Sequence, residues 1–292
     1  MERLDIETLP AQACHLGEGP SYDHASGVAW WCDILGKALF EWHPSSGGIL
    51  RHPMKRMPSE IAACADGRQL MALDDGLHLR DPATGELSLI QGIDPDNRHL
   101  RSNDGRVHSS GAFWIGTMSL TFEEGAGSVY HFHEGRLTKL FDGFTVPNAT
   151  CFTADGRTGH IIDSPTGRLL RMAVDPDTGL PDGEPELFHL HEGEGVIDGA
   201  VMDEGGTIWC AINGGGAIHA ISPEGRVVRR IRIPASQVTC PCFVGDGLDH
   251  LMVTTAAEGM TEEERRADPS AGRTFLLDVG ARGTIEPLAR PI

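Results

Sequence analysis

The sequence predicts an all-β fold, a six-bladed β-propeller, and three observations carry that reading: a repeated turn-and-strand segment, its spacing, and the lack of long helical periodicity. The repeated segments are "HASGVAWWCDI", "CADGRQLMALD", "HSSGAFWIGTM", "TADGRTGHIID", "DEGGTIWCAIN" and "VGDGLDHLMVTT". Each is a small polar turn followed by a strand. Their turn glycines, Gly27, Gly67, Gly111, Gly156, Gly206 and Gly247, stand 40, 44, 45, 50 and 41 residues apart. Four short strands with their turns need roughly 40 to 50 residues, which is one propeller blade.

Taken in chain order, the opening "RLDIETL" is the strand expected to pair with the closing "TFLLDV" and "TIEPLA" strands, because joining first to last removes an exposed edge. Between the repeats, "HPSSGG", "DPATGE", "DPDTGLPDG" and "SPEGR" close the outer hairpins of the blades. Only "MTEEERRAD", near residues 260 to 268, reads as a helical turn, inserted in a loop. Trp30, Trp31, Trp114 and Trp209 fall on the strand just after a turn glycine and are expected to pack between adjacent blades.

The chain of 292 residues is expected to form one propeller domain over 1–292, since all-β architectures often run this long as a unit. Apolar residues make up 40%, enough for a sizeable core, and 37 glycines with 18 prolines fit many turns. The net charge of −18 argues against nucleic acid or an anionic membrane as partner, because both need a basic surface. It is also compatible with a monomer or weak oligomer. The N-terminal "MERLDIETLPAQAC" has neither the pattern of a signal peptide nor that of a membrane span. The seven cysteines are scattered, and Cys240 and Cys242 have the wrong spacing for a CxxC site, so reduced, buried thiols in a cytoplasmic protein are expected.

Repeat alignment also brings out candidate functional residues. Eight positions before the turn glycine stand Ser59, Asn103, Asn148, Asp198 and Thr239, and Glu18 lies nine before Gly27. All bear a side-chain oxygen. If each begins the innermost strand of its blade, the six converge at one end of the propeller axis, with small neighbours such as Gly17, Gly19, Gly105, Ala149 and Gly199 leaving room. Two carboxylates brought together there repel unless paired or bound to a cation. Glu18, Asn148 and Asp198 are therefore the expected ligands of one divalent ion, since carboxylate and amide oxygens suit hard cations.

At these residues the chain resembles the senescence marker protein (regucalcin), gluconolactonase and sugar lactonase family. The resemblance runs almost end to end, through "HLGEGPSYD", "RSNDGRV", "FWIGTM", "VPNATCFTADGRTGHIIDS", "GVIDGAVMDEGGTIWCAING" and "VTCPCFVGDGLDHLMVTTA". It implies a six-bladed propeller that hydrolyses lactones of aldonic acids with one axial ion: calcium, zinc, magnesium, manganese or ferrous iron. It also implies that Glu18, Asn148 and Asp198 ligate the ion and that Arg101 and Asn103 contact the substrate. "VPNAT" and "IDGA" stand where the family usually has PNG and PDG. No glutamate follows "GTM" directly, which leaves open a substrate contact from Thr121 or Glu123.

Lactone hydrolysis needs a polarised carbonyl, an activated water and a stabilised oxyanion, and a three-ligand ion keeps positions open for that work. Asp198 is the expected general base, and Arg101 is placed to bind hydroxyls or offset developing charge. The expected function is metal-dependent hydrolysis of a sugar lactone in carbohydrate catabolism. Its alternatives are the same scaffold acting on other esters or phosphotriesters, and a non-enzymatic calcium-binding propeller. Other signals are weaker. "HFH" and "HLHEG" lack the HExxH pattern, and no GxSxG elbow exists. "DPDTGLPDGEPE" has Leu180 where a calcium loop needs glycine and reads as a hairpin turn. "NGGGA" reads as a blade turn.

Overall fold

The computed structural model describes residues 1–292 and is a six-bladed β-propeller made of six four-stranded sheets. Packing divides the chain into two units of three blades each. One comprises Met1–Lys55 with His191–Ile285, the other Arg56–Leu190 with Glu286–Ile292.

In the first unit the innermost strands are Gly17–Asp23, Val196–Met202 and Val238–Val244, and the last of these packs against both others. The next strand outward, Val28–Asp33, is buried along its whole length, whereas the edge strand Gly48–Pro53 is largely exposed. Strands buried on both faces read as continuous apolar runs, and "VAWWCD" is such a run. Trp31 stacks on Phe40 with ring centroids 5.0 Å apart, and Trp209 donates its indole N–H to Asp203 at 2.9 Å. Trp209 also meets Phe243 of the neighbouring blade edge-on at 6.3 Å, the packing between blades that the sequence predicts, whereas the Trp31 stack lies within its own blade.

The sixth blade takes its outer strand from the chain's start: Ile6–Thr8 pairs with Phe275–Asp278, with Ile6 opposite Leu277. The expected second partner is absent. Thr284–Ala289 forms no strand, as Pro287 lacks an amide for a ladder. The helix does form, at Glu262–Ala267, with Thr261 and Glu264 joined in a capping box. No helix is long and apolar enough to cross a membrane.

In the second unit the innermost strands are Pro58–Ala63, Leu100–Val107 and Pro147–Phe152. The C-terminal tail runs over two of its blades, with Ala289 N donating to Ala63 O and Arg290 N to Gly111 O, both at 2.8 Å. Trp114 is fully buried and donates to the Gly179 carbonyl at 2.8 Å. That carbonyl belongs to the "DPDTG" turn, where Asp175 accepts from the amides of Asp177 and Thr178 and closes the hairpin. All seven cysteines are free and buried, and burial pushes the Cys64 and Cys151 thiols up to about 11 and about 12.

Candidate metal and substrate site

Every innermost strand is interrupted by a bulge near its start. The irregularities fall between Glu18 and Ser21, Pro58 and Glu60, Ser102 and Gly105, Asn148 and Cys151, Ile197 and Ala200, and Val238 and Pro241. Each of the six oxygen-bearing residues found by repeat counting lies within or at the edge of one of these bulges. A bulge inserts a residue that is left unpaired and breaks the two-residue alternation, so it re-aims a side chain while pairing resumes on either side. Local sequence explains two of them. Gly19 and Ala149, each directly after a predicted ligand, have left-handed backbone with φ of 54° and 52°. A side chain at Gly17 would meet the Thr255 carbonyl at 2.7 Å, so Glu18 is flanked by glycines for two distinct reasons.

The second unit gathers three of the predicted residues into one hydrogen-bonded chain. Arg101, 5% exposed, donates to Asn103 Oδ1 at 2.7 Å and to the Ser102 carbonyl at 2.9 Å. Asn103 Nδ2 donates to Asn148 Oδ1 at 2.8 Å and to the Pro147 carbonyl at 3.0 Å. Asn148 Nδ2 donates in turn to Ser164 Oγ at 2.9 Å. With its nitrogen donating to Ser164, the Asn148 amide turns its oxygen toward Asn103. That oxygen has a second lone pair beyond the one used by Asn103. Ser59 donates to Ser102 Oγ at 2.8 Å and takes no part in this chain.

In the first unit Glu18 and Asp198 sit at bulges of separate innermost strands. Asp198 is 7% exposed, and its Oδ2 accepts from Asn213 Nδ2 at 2.9 Å. Glu18 is half-buried, with the Gly19 amide 3.4 Å from Oε2. Thr239, the equivalent residue on the strand packed against both, is fully buried and donates to the Gly17 carbonyl at 2.6 Å. Its hydroxyl serves the backbone. Carboxylates such as these two are hard donors, the kind a divalent cation takes.

Two further carboxylates of the second unit follow the predicted positions directly and serve the bulges. Glu60 accepts from the Gly105 amide at 3.3 Å and Asp104 from the Thr150 amide at 2.8 Å, so each spans to the innermost strand of the next blade. Burial pushes Asp104 up to about 6, against the opposing charge of Arg106. Glu60 is pushed well above the ordinary carboxylate range, by burial first and then by the charge of Asp104. Arg106 is held by Glu286 at 2.7 Å.

Sequence reading missed Ser164 and Asn213. Asn213 was absorbed into the "NGGGA" turn, but it ends the strand Ile208–Asn213 opposite Val196, two residues from Asp198. Pairing that strand against its neighbour residue by residue exposes it. Thr121 bonds locally, its hydroxyl 3.1 Å from Ser119 Oγ, and Glu123 is exposed on the same loop.

A match to the SMP-30/Gluconolactonase/LRE-like region spans residues 16–257. The chain is 43% identical over 286 residues, 97% of its length and 96% of the relative's, to a Rhizobium meliloti (strain 1021) protein named as a sugar lactone lactonase. It is 31% identical over 289 residues, 97% of its length and 98% of the relative's, to the 6-deoxy-6-sulfogluconolactonase of Pseudomonas putida. The crystal structure of regucalcin from Agrobacterium tumefaciens str. C58, described as a calcium-binding protein, superposes with a TM-score of 0.96 at 44% identity, covering 99% of this chain and 98% of that one. Fold and likeness together define a propeller enzyme of the lactonase class. The chain belongs to the SMP-30/gluconolactonase/LRE-like family.

Proposed function

We propose that this enzyme hydrolyses a sugar lactone, opening an aldonolactone to its aldonic acid in cytoplasmic carbohydrate catabolism, and that it depends on one divalent ion held by Glu18, Asn148 and Asp198. The observation that carries the reading is the bulge at each of these residues, which re-aims two carboxylates and one amide oxygen while the strands stay paired. A bound divalent ion supplies Lewis acidity toward the lactone carbonyl. Calcium, magnesium, manganese, zinc and ferrous iron all accept such oxygen donors.

Asp198 takes the proton of the attacking water, and its carboxylate is oriented for this by the Asn213 amide. Arg101 donates to substrate oxygens and faces the negative charge that grows on the former carbonyl oxygen. Asn103 fixes Arg101 on one side and Asn148 on the other, and so ties substrate contact to ligand orientation. Burial of these side chains strengthens each hydrogen bond relative to one in water.

Acid release in a pH-stat tests the reaction class, with a panel of aldonolactones set against simple carboxylic esters and a phosphotriester. The expected result is a kcat/KM for at least one aldonolactone well above every ester and phosphotriester. A preference for phosphotriesters would overturn it.

A further inference from the structure

On the second strand of each blade, one residue pairs with the position just before the oxygen-bearing residue of the bulge. These six are Asp33, Leu73, Thr117, Asp163, Ile212 and Thr255. Only two of them are carboxylates, and both lie in blades that bear a proposed metal ligand. Asp33 is opposite Gly17 and Asp163 opposite Pro147, the residues directly before Glu18 and Asn148.

Each carboxylate turns back onto the segment that leads into the ligand-bearing strand. Asp33 Oδ1 accepts from the amides of His15 at 3.1 Å, Leu16 at 2.9 Å and Gly36 at 3.0 Å, and Oδ2 is also 3.1 Å from the His15 amide. Asp163 Oδ1 accepts from the amides of Thr145 at 3.0 Å and Val146 at 2.8 Å. Leu16 and Val146 each stand two residues before the proposed ligand. Their carbonyls are held as well, by the amide of the residue after the aspartate: Ile34 donates to Leu16 at 2.9 Å and Ser164 to Val146 at 3.0 Å. On the far side of each ligand comes the left-handed residue, Gly19 or Ala149. Glu18 and Asn148 are thus fixed from both directions by the same device, once in each unit.

A carboxylate suits the task, because hydrogen bonds from backbone amides to an ionised acceptor are roughly twice as strong as neutral ones. Asp33 is 5% exposed and closely fitted: a side chain at Gly36 would place its first carbon 2.0 Å from Oδ2. In the blade of Asp198 the equivalent place holds Ile212, and the next residue, Asn213, bonds to the Asp198 carboxylate itself. We infer that Asp33 and Asp163 are positioning residues, which orient Glu18 and Asn148 for a divalent ion by fixing the backbone two residues upstream of each. The inference rests on the ligand set proposed above.

Ion affinity tests it without recourse to turnover, by competition of calcium, magnesium, manganese, zinc and ferrous iron in turn against a metal-sensitive dye, on preparations whose melting curves show them folded. Asp163→Ala and Gly36→Ala should each weaken the bound ion about tenfold, the second by displacing the Asp33 carboxylate without removing it. Asp163→Asn keeps an acceptor oxygen at Oδ1 and should stay within about threefold of the parent. Combined with Glu18→Gln, Gly36→Ala should add less than about threefold, since its effect passes through Glu18, whereas Asp163→Ala should add its full loss. Parental affinity in both Asp163→Ala and Gly36→Ala overturns the inference and leaves the ligand set standing, and so does a Gly36→Ala loss that adds in full to that of Glu18→Gln. A parent chain that binds none of the five ions at millimolar concentration overturns the ligand set and the inference with it.

Discussion

The two units of the chain carry the same bulge in every blade but fill it differently. In the second unit the re-aimed side chains are neutral amides and hydroxyls, and Arg101, Asn103, Asn148 and Ser164 satisfy one another in a continuous chain. In the first unit two of the three bulges present carboxylates, Glu18 and Asp198. An ionised carboxylate only accepts hydrogen bonds, so it needs donors or a cation where an amide can offer both functions. One backbone device therefore yields a rigid, self-satisfied scaffold in one unit and charge-bearing positions in the other. The chemistry is set by residue type, with the bulge supplying the aim.

The sharpest way to break this comparison is to make the first unit resemble the second. Asp198→Asn preserves shape and replaces the proposed base with an amide, and turnover should fall by about 10² to 10⁴ while the melting temperature stays within a few degrees. Steady-state acid release and a thermal melt on one preparation check both. Next in size, Glu18→Gln should weaken divalent-ion affinity by about a hundredfold, at the upper end of what loss of supporting groups alone produces. Competition against a metal-sensitive dye reads it, and unchanged affinity removes Glu18 from the ligand set.

Breaking the neutral chain should cost less. Asn103→Ala releases both Arg101 and Asn148, and kcat/KM should drop by about one order of magnitude through loss of orientation. The buried carboxyl pair gives a pH signature. Folding holds Asp104 above its ordinary range, up to about 6, so the folded protein keeps a proton that the unfolded chain releases near pH 4. That stabilisation is complete below about pH 4 and is lost as pH rises through about 6. Asp104→Asn lacks this dependence. Its melting temperature should gain a few degrees on that of the parent between pH 4 and 7, and parallel melting curves against pH would remove the assignment. The smallest effect is expected at Ala149, whose left-handed φ of 52° matches that of Gly19 at the corresponding place in the first unit. Ala149→Gly relieves strain of about 1 to 2 kcal/mol against the entropy of an added glycine, and should stabilise by under about 1 kcal/mol in urea unfolding.

Much of this was legible in the sequence, because a propeller repeats. The interval between turn glycines predicted six sheets, and counting back from them found the six residues at the bulges. The pairing of Ile6–Thr8 with Phe275–Asp278 followed from the need to cover an edge. What escaped were features set by register. Ser164 and Asn213 face their partners across a hairpin, and neither shares a fixed offset with a turn glycine. Thr284–Ala289 has the composition of a strand but was diverted by Pro287 into a tail without a ladder. The departure of "VPNAT" from a PNG pattern was visible, and it is tolerated because alanine is the smallest side chain that the left-handed backbone admits after glycine.

Removal and restoration of metal during lactone hydrolysis tests the central claim most directly. The protein is stripped with a chelator, acid release from the preferred aldonolactone is followed, and calcium, zinc, magnesium, manganese and ferrous iron are returned one at a time. The account predicts that the stripped protein shows no rate above spontaneous hydrolysis and that at least one ion restores turnover at one equivalent per chain. Undiminished turnover in the stripped protein, or stoichiometric ion binding with no turnover, would contradict it.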